Sequence, residues 1–352
     1  YQSKRMEFYN DIVNNLKDNG RLYECFETKE ELDLKRKKQL NSGNPPVYDR
    51  SSLSLSEKKK AELRSQRNSY WRFLLDHERI EWDDGILGTT SIDTSSVSDP
   101  VLIRADGQFL YTLASVKDDL DLNISHVIRG IDHVTNTAVQ IQIMKFLSKK
   151  NPVFSHHSLL TGIKGEQLSK RFNSLSIKEL KAEGLEPESI ISFLSSLGSS
   201  RSTNKLFEKK EIVKDFNLKN FGSSPTKFDK EILVSLSVKT LSNKKFYFIN
   251  ELDELRIPID TKEKFWEMAK ENIKTRQDIK YLWDLCLNGC KPLIDTDDIE
   301  FIRICFSIIP SKPRNEESWN KWVKEINLKT GRKGKNIFLP LRKALTGAEN
   351  GP

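Results

Sequence analysis

The feature that most constrains this chain is the way its hydrophobic period changes along its length. In "SKRMEFYNDIVNNLKDNG", Met6, Tyr9, Ile12, Val13 and Leu16 recur every three to four residues, which is one face of a helix, and Gly20 stops it. "TKEELDLKRKKQLNSG" repeats the pattern, with Thr28 and Glu31 spaced as a capping box and Gly43 at its end. "NPPVYDR" breaks the chain, and residues 51–67 read as a basic, exposed helix. From about residue 70 the period shortens toward two, so "YWRFLLD", "RIEWDD" and "VLIRADGQFLYTLASV" read as strands, with Asp106-Gly107 as a hairpin turn. "GTTSIDTSSVSDP" reads as a polar loop.

The period then changes within one segment, "ISHVIRGIDHVTNTAVQIQIMKFL". A short strand, 125–128, enters a turn at Arg129-Gly130 and leaves it as a helix carrying Val134, Ala138, Ile141 and Leu147. A strand feeding a helix through glycine is an α/β signature, and ligands of such sheets gather at the carboxyl ends of strands. Arg129 and Asp132 stand in that crossing, where a solvated turn would also accept them. Beyond it Ser176 and Glu179 form another capping box, "EPESIISFLSSLG" opens near proline and closes on glycine, and residues 216–352 show helical periods in segments such as "YLWDLCLN", "IEFIRICFSII" and "SWNKWVKEI". "SSLGSSRSTNK" reads as a polar joint, and no internal repeat is visible.

A chain of 352 residues exceeds one ordinary core, so two or three domains are expected. The 58 Lys and Arg against 50 Asp and Glu leave a net charge of +8, compatible with a polyanionic partner but too modest to demand one. The four cysteines, Cys25, Cys286, Cys290 and Cys305, fit reduced core thiols better than a disulfide or metal framework. No apolar run reaches the length of about 18 residues that a membrane span needs, and no signal peptide is visible, so the expected address is the cytoplasm. "GEQLSKRFNSLS" sets Lys170 beside Arg171; on its own this is either a solvated basic loop or an arm that holds phosphates.

Several stretches, in one order, carry a resemblance. "DPVLIRADGQFLYTLASVKDD", "HVIRGIDHVTNTAVQ", "LLTGIKGEQLSKR", "EGLEPESIISFLSSLG" and "TGRKGKNIFLPLRKALTG" resemble the bacterial-type glutamyl-tRNA synthetases, which are class I aminoacyl-tRNA synthetases. The resemblance covers nearly the whole chain and is most specific over residues 99–198. It implies a Rossmann-type α/β catalytic core with an inserted α+β acceptor-binding domain, followed by an all-α anticodon-binding domain. The implied boundaries are 1–20 and 111–160 for the two parts of the core, 21–110 for the insertion, 161–215 for the loop and stem-contact subdomain, and 216–352 for the anticodon domain. It also implies ATP and Mg²⁺, L-glutamate, tRNA(Glu) as acceptor, either alone or together with tRNA(Gln), and a monomer.

The same resemblance supplies roles for residues. "LSKR" stands where the family has its KMSKS-type loop, so Lys170 is expected on the ATP phosphates, where an ammonium can track charge that builds in the transition state. Ser169 shapes that loop and Leu168 lies along ATP, as Asp132 and His133 do. Tyr111, Arg129 and Ser115 are expected around glutamate, with Arg129 on a carboxylate; relatives often have asparagine where Ser115 stands. Asp118, Asp119 and Arg171 are expected at the tRNA, and capping is an equal reading for the two aspartates.

Three departures accompany the likeness. Gln167 replaces the loop's usual first lysine, so slower activation is expected. The zinc pattern of some relatives is reduced to Cys25-Phe26-Glu27, with no cysteine in "YDRSSLS", so no zinc is expected. No His-x-Gly-His motif occurs among the five histidines. The resemblance is therefore to a fragment lacking the N-terminal motif segment and the extreme C-terminus, and such a chain is expected to be inactive as it stands. The rival from another class is a non-catalytic tRNA-binding or regulatory protein derived from a synthetase.

Overall fold

The computed structural model describes residues 1–147, 150–166, 168, 176–312 and 314–349. It divides into two units, one of residues 1–167, 198–200 and 216–228, the other of residues 168–197, 201–215 and 229–352.

In the first unit, helix α1 (Met6–Asp18) buries Tyr9, Ile12, Val13 and Leu16 of the face its spacing predicts, while Met6 at its head is exposed. It leads into β1 (Leu22–Cys25). Helix α2 (Lys29–Asn41) starts with the expected capping box: the Glu31 N–H donates to Thr28 Oγ1 at 3.3 Å and the Thr28 N–H to Glu31 Oε2 at 2.8 Å. The expected helix over 51–67 is shorter, a 3₁₀ turn at Ser51–Ser54 and then α3 (Glu57–Gln66), capped by Ser56. Strand β2 (Tyr70–Phe73) is followed by β3 (Arg79–Asp84) and β4 (Gly88–Asp93).

Strand β4 corrects the reading of "GTTSID" as a loop. It pairs antiparallel with β3 from Arg79↔Asp93 to Asp84↔Gly88. Its outward residues are polar, which erased the hydrophobic alternation, while its threonines and isoleucine suit a pleated ribbon. Strand β5 (Val101–Ile103) completes a three-stranded sheet in the order β1-β2-β5. Gly107 turns the chain with φ +81°, and the expected hairpin shrinks to one bridge, Ile103↔Phe109.

After that turn the chain becomes a helix, α4 (Tyr111–Asp121), rather than the expected second strand. "YTLASV" fits both periods, and burial of Leu113, Ala114 and Val116 on one side of the helix decides it. Strand β6 (His126–Gly130) includes Arg129 and Gly130, which the sequence assigned to a turn. A 3₁₀ turn (Ile131–His133) links it to α5 (Val134–Phe146), and β7 (Val153–His157) lies parallel to β6, with Arg129↔His156 and Gly130↔His157 paired. Parallel strands need a crossover, and α5 supplies it. The core joins α1, α4, α5 and the sheets through Leu16, Phe73, Leu102, Leu113, Ile143 and Phe154. Strands β8 (Leu160–Thr161) and β9 (Thr226–Lys227), also parallel, close this unit.

The second unit is helical among its described residues. Helices α6 (Ile177–Ala182), α7 (Pro187–Ser196), α8 (Lys209–Lys214) and α9 (Lys230–Ser242) precede α10 (Glu251–Glu254), α11 (Ile259–Ala269) and α12 (Gln277–Asn288). Ser176 and Glu179 cap α6 reciprocally, and Pro187 opens α7. Glu186, 1% exposed, ties three helices together: its carboxylate accepts from Arg276 Nε at 2.6 Å and Lys244 Nζ at 2.6 Å, and its N–H donates to Ser237 Oγ at 2.8 Å. Trp266, Ile279 and Leu282 fill the adjoining core. Helices α13 (Ile299–Ser307), α14 (Glu316–Thr330) and α15 (Lys335–Thr346) enclose a further core around Phe301, Trp322, Ile326 and Leu341.

Candidate active site

The site is assembled where β6 ends. Arg129 is the penultimate residue of the strand, so its side chain lies at a carboxyl end, as the α/β rule anticipates. Its guanidinium is held on three sides. Nη1 donates to the Tyr111 hydroxyl at 2.8 Å, Nη2 to Thr137 Oγ1 at 2.5 Å and Gln140 Oε1 at 2.7 Å, and Nε to His156 Nε2 at 3.4 Å. Guanidinium has five N–H groups, so one N–H on Nη1 is left for a ligand.

Tyr111 opens α4 and is half exposed, so its hydroxyl proton is available while its oxygen accepts from Arg129. Ser115 lies one helical turn on. Its Oγ accepts from Gln140 Nε2 at 2.6 Å and so reaches Arg129 through Gln140. The spacing of 111 and 115 puts both residues on one face of α4. These three expected residues are thus gathered in one polar cluster.

Asp132 and His133 occupy the 3₁₀ turn after β6. The His133 ring sits 5.7 Å from the Tyr111 ring, and its Nδ1 meets Asn136 Nδ2 at 3.2 Å. Asp132 is exposed and folds back over Gly130, where an added Cβ would stand 2.4 Å from Asp132 Oδ1. A side chain at position 130 would therefore displace the Asp132 carboxylate.

The aspartate pair on α4 divides. Asp118 accepts from Arg5 Nε at 2.7 Å, the Tyr9 hydroxyl at 2.9 Å and Gln2 Nε2 at 3.1 Å, an anchor for the start of the chain. Burial pushes its carboxyl up, yet these donors outweigh burial and hold it below the ordinary carboxylate range. Asp119 is raised, by burial first and by Asp118 in addition, with Arg129 acting against both. Leu168 is exposed. Gln167, Ser169, Lys170 and Arg171 lie outside the described residues.

Four members of the cluster were not found by sequence reasoning: Asp84, Thr137, Gln140 and His156. Thr137 and Gln140 carried a signal, being polar residues at i and i+3 in the apolar run "NTAVQIQIM", and both are buried. His156 and Asp84 are wholly buried side chains whose Nδ1 and Oδ2 meet at 2.5 Å. Burial depresses the His156 imidazole below its usual value, and Asp84 only partly restores it. Asp84 is itself held low, because His156 and the backbone N–H groups of Leu87, His156 and Ile86 outweigh its burial.

At the position of the reduced zinc pattern stands one carboxylate, Glu27, ringed by hydroxyls. Glu27 accepts from the hydroxyls of Tyr48 (2.8 Å), Ser51 (2.9 Å), Ser52 (3.1 Å) and Tyr70 (3.1 Å) and from Lys35 Nζ (3.3 Å). Burial alone would raise it, but its own backbone N–H and then this donor shell bring its pKa down to about 2. The neighbouring Cys25 thiol is pushed up to about 11 by burial. No helix among the described residues is long and apolar enough to cross a membrane.

The family model described as the catalytic domain of class I tRNA synthetases (E and Q) matches residues 1–235. The glutamate–tRNA ligase 2 of Ruegeria sp. (strain TM1040) is 52% identical over 353 residues, covering all of this chain and 80% of that protein. The glutamate–tRNA ligase 2 of Dinoroseobacter shibae is 50% identical over 354 residues, again with all of this chain and 80% of that protein. A crystal structure of a glutamate tRNA ligase from Elizabethkingia meningosepticum CCUG26117, in complex with its amino acid, shares the fold with a TM-score of 0.77 at 23% identity, over all of this chain and 78% of that one.

Proposed function

On the premise that this chain belongs to the glutamate–tRNA ligase family of class I tRNA synthetases, we propose that the cluster around Arg129 is its glutamate pocket. The activity is that of a ligase, joining L-glutamate to tRNA with ATP as the energy source. The observation that carries the pocket is the Tyr111–Arg129 pair at the carboxyl end of β6. A carboxylate seated there takes an N–H from Arg129 and the O–H of Tyr111, two donors fixed before the ligand arrives. Ser115, through Gln140, sets the third side.

The remaining roles follow the family resemblance. Asp132, His133 and Leu168 are assigned to ATP, and Lys170 to its phosphates, with Ser169 shaping the loop. When the glutamate α-carboxylate attacks the α-phosphorus, the bond to pyrophosphate breaks and negative charge grows on the leaving group. An ammonium placed there favours that transition state over the ground state. Transfer then frees AMP as the terminal ribose hydroxyl of tRNA takes the acyl group. Arg171 and Asp119 are assigned to the tRNA, as is Asp118 alongside its pairing with Arg5. Mg²⁺ belongs here as the counter-ion of ATP.

We assign 1–20 and 111–160 to the catalytic domain, 21–110 to acceptor-stem binding, 161–215 to the loop and stem-contact region, and 216–352 to the anticodon, in a cytoplasmic monomer that acts on tRNA(Glu), either alone or together with tRNA(Gln). The test is glutamate charging of both purified tRNAs by the intact protein, wild type and Arg129→Lys. Charging that requires high glutamate only in Arg129→Lys supports the reading. Binding of tRNA without charging would favour the non-catalytic alternative.

A further inference from the structure

Arg129 is shaped from behind by a pair that touches no solvent. Asp84 Oδ1 accepts three backbone N–H groups, those of Ile86 (3.0 Å), Leu87 (3.1 Å) and His156 (3.0 Å). Its Oδ2 meets His156 Nδ1 at 2.5 Å. An ionised carboxylate can only accept, so the imidazole proton must sit on Nδ1. Nε2 is then a lone pair, and it faces the two donors next to it, Thr137 Oγ1 at 2.9 Å and Arg129 Nε at 3.4 Å.

From this geometry we infer that Asp84 and His156 are positioning residues for glutamate recognition: Asp84 fixes the tautomer of His156, whose Nε2 lone pair sets the orientation of the Arg129 guanidinium. The inference rests on the reading of Arg129 as the glutamate-binding arginine. The same contact explains why the ring must stay neutral. A proton on Nε2 would point an N–H at a guanidinium N–H and remove an acceptor that Thr137 also uses. Four groups face the ring from its surroundings: Asp84 from β3, Arg129 from β6, Thr137 from α5 and His133 from the 3₁₀ turn. Asp84 favours protonation, while Arg129, His133 and burial oppose it. Trp82 and Phe154 flank the ring, with centroids 6.4 and 6.5 Å away.

Asp84→Asn tests the claim, and also removes the oxygen that accepts from Trp82 Nε1–H at 3.3 Å. The amide oxygen must remain on the three backbone donors, which leaves the amide NH₂ facing Nδ1. Nδ1 then accepts, and the ring proton moves to Nε2, against Arg129. In intact protein labelled with ¹⁵N-histidine, the His156 signals are expected to change from the Nδ1–H to the Nε2–H pattern. Glutamate KM in ATP–pyrophosphate exchange should rise about tenfold, with kcat and the ATP KM within about twofold, as expected when one oriented binding contact is lost. His156→Gln, which can keep an acceptor near Nε2, should hold the glutamate KM within about threefold, and His156→Leu should not.

An unchanged tautomer in Asp84→Asn, or a changed tautomer with an unchanged glutamate KM, overturns the inference. So does an equal glutamate KM in His156→Gln and His156→Leu, a comparison that stands if Asp84→Asn fails to fold. Arg129→Lys separates the two levels. If it too leaves the glutamate KM unchanged, the assignment of Arg129 fails. If it raises that KM while the Asp84 and His156 variants do not, only the positioning claim fails.

Discussion

Tyr111 and Arg129, on different elements and 18 residues apart, share a 2.8 Å hydrogen bond in which the guanidinium donates and the hydroxyl accepts. The bond leaves the tyrosine proton aimed away from its partner, so the pair offers two donors to one anion. Removing the oxygen takes away a donor and loosens the arginine. Tyr111→Phe is expected to raise the glutamate KM about five- to tenfold, equivalent to roughly 1–1.5 kcal/mol, with the ATP KM unchanged. Steady-state pyrophosphate exchange checks it, and a rise in the ATP KM alone would move Tyr111 out of the glutamate pocket.

Gly130 admits the Asp132 carboxylate because it has no side chain. A Cβ there meets the far end of Asp132 and Leu159 Cδ2 at 3.1 Å, both able to swing aside. Gly130→Ala is therefore expected to fold with a stability loss under about 1 kcal/mol, and to raise the ATP KM by displacing Asp132. Thermal melts and ATP titration separate the two effects. A wild-type ATP KM would argue against Asp132 at the nucleotide.

Glu27 collects four hydroxyls and an ammonium in a half-buried position, and Lys35 alone does not account for its low pKa. Glu27→Gln retains the shape but turns half of an acceptor-only group into a donor facing other donors. We expect a loss of roughly 1.5–3 kcal/mol in chemical denaturation, the range for hydrogen bonds to a charged group. Because its folded pKa is depressed to about 2, the stability it contributes is present above the unfolded value and lost as pH falls from about 4.5 toward 2. The variant should show a flatter acid limb over that window.

His156 gives a second pH signature at higher pH. Its folded pKa is lowered, so below the unfolded value of about 6.5 the unfolded chain binds the proton first. Stability is full above that pH and declines as pH falls through it, by up to about 1.4 kcal/mol per unit while the folded ring stays neutral. Denaturation at pH 7.5 and 5.5 should show this decline, and His156→Gln should remove it. A slope unaffected by the substitution would place the titrating group elsewhere.

Much of the local architecture was legible in the chain because its causes are local. The capping boxes of Thr28 with Glu31 and Ser176 with Glu179 need only a turn of helix, and both formed as their spacing implies. The buried face of α1 follows from the spacing of Tyr9, Ile12, Val13 and Leu16. The carboxyl-end position of Arg129 follows from a strand meeting glycine and then a helix. Where one stretch suits two periods, the tertiary structure decided. Tyr111 became the start of a helix because Leu113 and Val116 had a core to enter, and "GTTSID" became a strand because β3 offered an edge. The cluster behind Arg129 is the extreme case. Asp84 lies 72 residues from His156, and His156 lies 27 from Arg129. Burial fixes the proton on that imidazole by removing water as an alternative partner, and no local pattern encodes such a choice.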